Sequence, residues 1–137
     1  MTIIGVLAAA AMPAVRVIQK RERELELKRI LLEVRTAIDR FKQAVDAGEI
    51  EVNELDQLGY PADFDQMIKG VGSKKHPGQN LKFLRRIPVD PMTGEALWGM
   101  RSVQDEPDTT SWGGQNLFDI YSLSDGTALD GSEYSSW

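Results

Sequence analysis

The chain has 137 residues, with 16 Lys+Arg against 21 Asp+Glu for a net charge of -5, 42% hydrophobic residues and no cysteine. That length fits one domain, and the hydrophobic share is enough for a modest core and too high for an intrinsically disordered chain. The absence of cysteine excludes a disulfide scaffold, a thiolate zinc site and a cysteine nucleophile, and a single histidine, His76, excludes a two-histidine metal site.

From Met1 to Val15 no residue is charged. The run is membrane-like in composition but shorter than the roughly 20 apolar residues that cross a bilayer as a helix, and it lacks the basic start and polar cleavage region of a signal peptide. Two readings stand: an interfacial or buried helix, or the end of a longer apolar segment whose first residues precede this numbering. Residues 1–18 form this apolar segment, 19–48 an amphipathic continuation, and 49–137 a globular domain.

Between Gln19 and Lys42 charges of both signs are dense, yet Leu27, Ile30, Leu31, Val34, Ala37, Ile38, Phe41 and Val45 recur at steps of mostly three and four. That spacing predicts one buried stripe on a helix whose other face is solvated. Glu24 with Lys28 and Arg29 with Glu33 are favourable (i, i+4) pairs, and Glu22 with Glu26 an unfavourable one. The helix is expected to end near Ala47–Gly48 and to total about 45 residues, with a kink or local unwinding at Pro13. A helix that long exceeds the width of so small a domain, so a large part of it must project. Arg16, Lys20, Arg21 and Arg23 follow the apolar run, where they would meet anionic headgroups, although Glu22, Glu24 and Glu26 dilute the patch.

Short helical pieces are predicted at Val52 to Gln57 and at Ala62 to Lys69, with Pro61 at an N-terminal position and Gly70 past the end. Gly72 to Asn80 reads as an exposed loop carrying His76, a solvent-facing histidine with no ligand partner nearby in sequence. Pro88, Pro91 and Gly94 mark a turn-forming segment. Ala96 to Val103 and Leu117 to Ser124 have the aromatic and branched residues of strands, joined by a polar loop long enough to carry packing or function. From Ser102 to Trp137 there are seven acids and no base, leaving 16 bases against 14 acids before them. An acidic surface of this kind argues against a nucleic-acid partner.

The blocks IIGVLAAAAMPAVRV (Ile3 to Val17), the charged helix to Phe41, LRRIPVDPMTGEALW (Leu84 to Trp98) and FDIYSLSDG (Phe118 to Gly126) together resemble type IV pilins and, in the last two blocks, the major pseudopilins of type II secretion. The resemblance covers essentially the whole chain. It implies an α+β, pilin-like fold: a long N-terminal helix, apolar then amphipathic, packed on a small C-terminal antiparallel sheet. It implies a precursor trimmed and N-methylated by a prepilin peptidase, held by a single pass in the inner membrane of a Gram-negative bacterium with its globular domain in the periplasm. From there it is extracted into a helical homo-oligomeric filament, with minor pseudopilins and an inner-membrane assembly platform as partners. The function so implied is that of a structural filament subunit driving protein export. The alternative is a type IV pilin-like subunit for adhesion, motility or DNA uptake, and an isolated membrane-anchored binding domain ranks third.

On this reading the assembly residues are Ile3, Ile4, Val6 and Leu7 for apolar packing, Pro13 for local unwinding, and Arg29 and Arg35 for register between subunits. The aromatic first residue and the early glutamate of the family's mature chains lie upstream of Ile3 and have no counterpart in this numbering, and the C-terminal disulfide of typical type IV pilins is absent. Related major pseudopilins often close that loop with calcium, and the matching positions are the Leu123 carbonyl, Asp125, Asp130, and Ser132 or Glu133. The oxygen chemistry suits calcium, while Ser124-Asp125-Gly126 and Asp130-Gly131 are also ordinary turn sequences, so both readings stand. For catalysis, Asp125 with Asp130 or Asp105 with Asp108 could in principle form an acid pair. With no nucleophile elbow, phosphate loop or paired histidine, the chain is not expected to be an enzyme.

Overall fold

The computed structural model describes residues 2–137, with side chains from Pro13 onward. The chain is α+β, with one long N-terminal helix and two small antiparallel ribbons. Helix α1 runs Thr2–Asp46, 45 residues, which is about 68 Å at 1.5 Å per residue. It stops where the glycine requires: Gly48 adopts φ +72°, and the Gly48 and Glu49 amides donate to the carbonyls of Val45 and Ala44 at 3.0 and 2.9 Å, capping the last turn. The unwinding expected at Pro13 is not found, since α1 is one element across it. A single missing donor is a local loss inside a cooperative helix with many turns on the other side.

From Leu27 to Phe41 the predicted stripe is buried at every position, and Ala44 extends it while Val45 sits at its edge. This face receives the rest of the chain: Ile50, Phe64, Met67, Phe83, Leu84, Trp98, Leu117 and Ile120 make one continuous core with it. Phe41 and Phe83 meet as tilted rings with centroids 5.0 Å apart.

The middle of the chain forms a 3₁₀ turn at Leu55–Gln57 and helix α2 at Phe64–Lys69. Asp63 caps α2, its carboxylate accepting from the Gln66 amide at 2.9 Å, so Pro61 lies ahead of the cap and not in the first turn. Gly70, at φ +84°, stops the helix, and a Cβ there would meet the Leu81 carbonyl oxygen at 2.7 Å. The segment read as a plain loop has paired ends: β1 (Val71–Gly72) and β2 (Asn80–Leu81) are antiparallel, with Val71 opposite Leu81. Two-residue strands are too short to show an alternating pattern, which is why the sequence gives no sign of them. His76 is exposed in the enclosed loop.

The later strands are shorter than expected. β3 (Gly99–Arg101) pairs antiparallel with β4 (Asp119–Tyr121), and β4 packs on α1. The ladder stops because Ser102 turns away from it: its amide donates to the Asp105 carboxylate at 2.8 Å and its hydroxyl to the Asn116 carbonyl at 3.0 Å. Gly99 is required by its partner, since the Tyr121 ring lies across it and an added Cβ would fall 2.1 Å from that ring. The small C-terminal antiparallel sheet expected is this two-stranded β3–β4 ribbon, and β1–β2 is a second, separate ribbon earlier in the chain.

Phe41 lies at the centre of the core and is fully buried, whereas Leu32 on the opposite face is 68% exposed. Phe41→Ala is expected to lower stability by about 3–5 kcal/mol and Leu32→Ala by less than about 0.5 kcal/mol, measured by urea unfolding. Equal effects would place the core elsewhere.

Candidate functional site

The C-terminal loop folds back onto α1 through three helix side chains, one turn or two apart. Glu24, only 8% exposed, accepts the Leu129 amide at 2.8 Å and the Tyr134 hydroxyl at 2.7 Å on one oxygen. Lys28 places its ammonium 4.7 Å from the centre of the Trp137 ring. Arg35 donates to the Asp119 carboxylate at 2.7 Å, to the Ile120 carbonyl at 3.1 Å and to the main-chain oxygen of Trp137 at 2.7 Å. The Tyr134 and Trp137 rings meet edge to face at 5.1 Å, and a bridge between Thr127 and Glu133 closes the base of the loop. Glu24 is thus neither a diluting surface charge nor the partner of Lys28. Burial, with the Glu24 carboxylate as hydrogen-bond and charge partner, pushes the Tyr134 hydroxyl up to about 12.

Within this loop two of the residues matched to a cation site, Asp130 and Ser132, are engaged with each other. One Asp130 carboxylate oxygen accepts from the Ser132 amide at 2.9 Å and from the Ser132 hydroxyl at 2.5 Å. The Ser132 oxygen in turn accepts the Trp137 indole N–H at 2.7 Å. Those Ser132 bonds hold the Asp130 carboxyl below the usual carboxylate range. The side chains of Leu123, Asp125 and Glu133 are exposed, and among the described residues no three His, Cys, Asp or Glu side chains gather as a metal-holding group.

Of the assembly residues, Ile3, Ile4, Val6 and Leu7 have side chains outside the described residues. Pro13 is exposed, as are Val15, Val17 and Ile18 at 43–56%. Arg29 is exposed and forked between Glu26 at 2.6 Å and Glu33 at 3.1 Å, with Glu26 held below the usual carboxylate range chiefly by the Arg29 hydrogen bond. Arg35, by contrast, is used inside the subunit, where it ties β4 and the C-terminus to α1. Among the described residues no helix is long and apolar enough to cross a membrane.

Two structural residues carry no motif in the sequence. Asp90 is fully buried, accepting the Ser122 hydroxyl at 2.5 Å and the Met92 amide at 2.8 Å, so it pins the VDPMTG turn beneath the end of β4. The Asp-Pro-x-x-Gly spelling of that turn is the only local hint. Asn116, also fully buried, accepts the Val103 amide at 3.0 Å and donates to the Asp56 carbonyl at 3.0 Å and the Gln104 side chain at 2.8 Å. The long polar loop is accordingly organised by packing. Asp105, an acid-pair candidate, accepts from the Ser102 and Gly113 amides, which hold it below the usual carboxylate range. That is the opposite direction from the one a general acid needs.

Comparison with known proteins finds no matching family model, no matching curated protein and no matching solved structure.

Because Tyr134 is held near 12 in the folded chain against 10.0 ordinarily, its bond to Glu24 contributes fully below pH 10 and is lost as pH rises through about 12. Arg23 and Asp130 are the other charges acting on it. The stability difference between the native chain and Tyr134→Phe should be constant below pH 10 and shrink between pH 10 and 12, read by urea unfolding along a pH series. A difference that does not change over that range would mean that the hydroxyl is not held in this bond.

Proposed function

We propose that this chain is a structural subunit of a pseudopilus-type filament that drives protein export through type II secretion. One observation carries the reading. Along the single helix α1, Val15, Val17 and Ile18 are bare apolar side chains, while among the described side chains burial against the domain begins at Glu24 and continues to Ala44. Apolar side chains projecting in a row need a cover, and exposed patches of this kind mark membrane or protein contacts.

A bilayer and the same segment of neighbouring subunits are two covers of similar apolarity. A subunit can therefore leave one for the other at modest cost, with close packing and not the hydrophobic effect favouring the filament. In this reading the chain is held in the inner membrane, its domain in the periplasm. It assembles as a helical homo-oligomer with minor pseudopilins, on an inner-membrane platform, after trimming and N-methylation. Its role is mechanical and not enzymatic. The lack of cysteine and the resemblance of residues 84–98 and 118–126 to major pseudopilins favour secretion over adhesive pili.

Arg29, exposed on the outer helix face, is the register probe, whereas reversal at Arg35 would break the domain's own contacts. Val15→Lys combined with Ile18→Lys is expected to abolish sheared filaments seen by electron microscopy, and cargo secretion in a deletion strain. The melting temperature of the domain should stay unchanged, because neither side chain packs in it. Arg29→Glu should reduce filament yield with the same unchanged melting. Normal filaments and secretion in the double variant would overturn the filament reading, and normal yield in Arg29→Glu would remove the register role.

A further inference from the structure

We propose that residues 123–137 close on α1 without a bound cation, through a side-chain clamp whose helix half is Glu24, Lys28 and Arg35 and whose loop half is Leu129, Tyr134 and Trp137. A crosslink or an ion in such a loop does one job: it ties a late segment to the body of the domain and removes freedom from the open chain. The clamp also ties the late segment to the body of the domain, and it does so directly onto the helix. Its hydrogen bonds join residues 105, 110 and 102 positions apart, at Glu24 with Leu129, Glu24 with Tyr134 and Arg35 with Trp137.

The bonds to Glu24 are of the strong kind. A carboxylate receives an N–H and an O–H donor in a site where Glu24 is 8% and Tyr134 3% exposed, and charge-assisted bonds gain strength away from water. Arg35 adds three donations from one planar group. On the loop side, a calcium ion would want six to eight oxygens facing one point. Here the Asp130 oxygen already holds two Ser132 donors, and the Ser132 hydroxyl both donates to Asp130 and accepts from Trp137. The Glu133 carbonyl accepts the Ser136 amide and hydroxyl at 3.0 and 2.7 Å. Of the oxygens matched to such a site, those of Asp130 and Ser132 are the ones that hold the turn and Trp137 in place, and an ion would have to displace those bonds. The inference is independent of the filament reading, since it concerns the fold of a single subunit.

The test uses the full chain in detergent micelles, with melting and amide hydrogen exchange measured in millimolar calcium chloride and in excess EDTA. Melting temperature and exchange rates are expected to be the same in both. Glu24→Gln and Tyr134→Phe should each speed exchange at the Leu129 amide by about tenfold or more, leaving the remote Phe83 amide, which donates to the Met67 carbonyl, unchanged as proof of folding. A rise in melting temperature of roughly 5–10 °C with calcium, lost in Asp125→Asn combined with Asp130→Asn, would overturn the proposal. So would unchanged Leu129 exchange in both clamp variants.

Discussion

The inward face of α1 between Glu24 and Ala44 is the surface that the remaining elements require. The strands of the two ribbons have two and three residues each, and hairpins that short are marginal in water on their own. They persist because side chains beside their ladders reach the helix: Ile120 and Leu117 are fully buried and Phe83 lies on Phe41. The helix forms its hydrogen bonds with near neighbours and offers an apolar stripe about 30 Å long over twenty residues. The loops then need only reach it, so a chain with little regular structure after residue 46 still has one core.

Polar groups do the joining where ladders cannot. A loop-rich domain must place its backbone donors somewhere, and a few buried side chains take several at once. Asp90 serves a turn and β4, Asn116 serves the long loop and the 3₁₀ segment, and Glu24 serves the C-terminal loop. Each is a buried hub with its bonds filled, which makes such a group stabilising where an unfilled one would be costly. The acidic character of residues 102–137 is moderated in the same way, since Asp119 pairs with Arg35, and Asp105 and Asp130 accept from amides or hydroxyls.

What could be read from sequence is what short-range periodicity encodes. The length of α1, its stripe from Leu27 to Phe41, its glycine stop and α2 all follow from residues within a few positions of each other. The ribbons were only partly legible. The aromatic and branched residues from Leu117 to Ser124 signalled β4, but the point where β3 ends depends on Ser102 meeting Asn116, and β1 and β2 are too short to carry a period. The clamp was not legible at all. Glu24 has Lys28 four residues on and looks like one more exposed charge, and nothing local distinguishes Arg35 from Arg29. Their difference is set by which helix face the C-terminus reaches, and partners more than a hundred residues apart leave no local mark. The side chains of Ile3, Ile4, Val6 and Leu7 lie outside the described residues.

On the filament reading helix α1 belongs to two environments, and their boundary coincides with the clamp. Up to Gln19 the described side chains are exposed, with Val15, Val17 and Ile18 apolar; from Lys20 the outer face is densely charged, and the first buried residue is Glu24. Charged side chains resist entry into an apolar medium, so on that reading the cover of the apolar half would end near the basic residues from Arg16 to Arg23. Because α1 is continuous, a displacement of its apolar half passes directly to the turn carrying Glu24 and Lys28. There the helix is tied to the last residues of the chain, and two turns further on Arg35 ties it to β4 and to Trp137 again. The helix is therefore gripped at the point where it leaves the domain, which is where a pull along its axis would otherwise begin to peel it from the core.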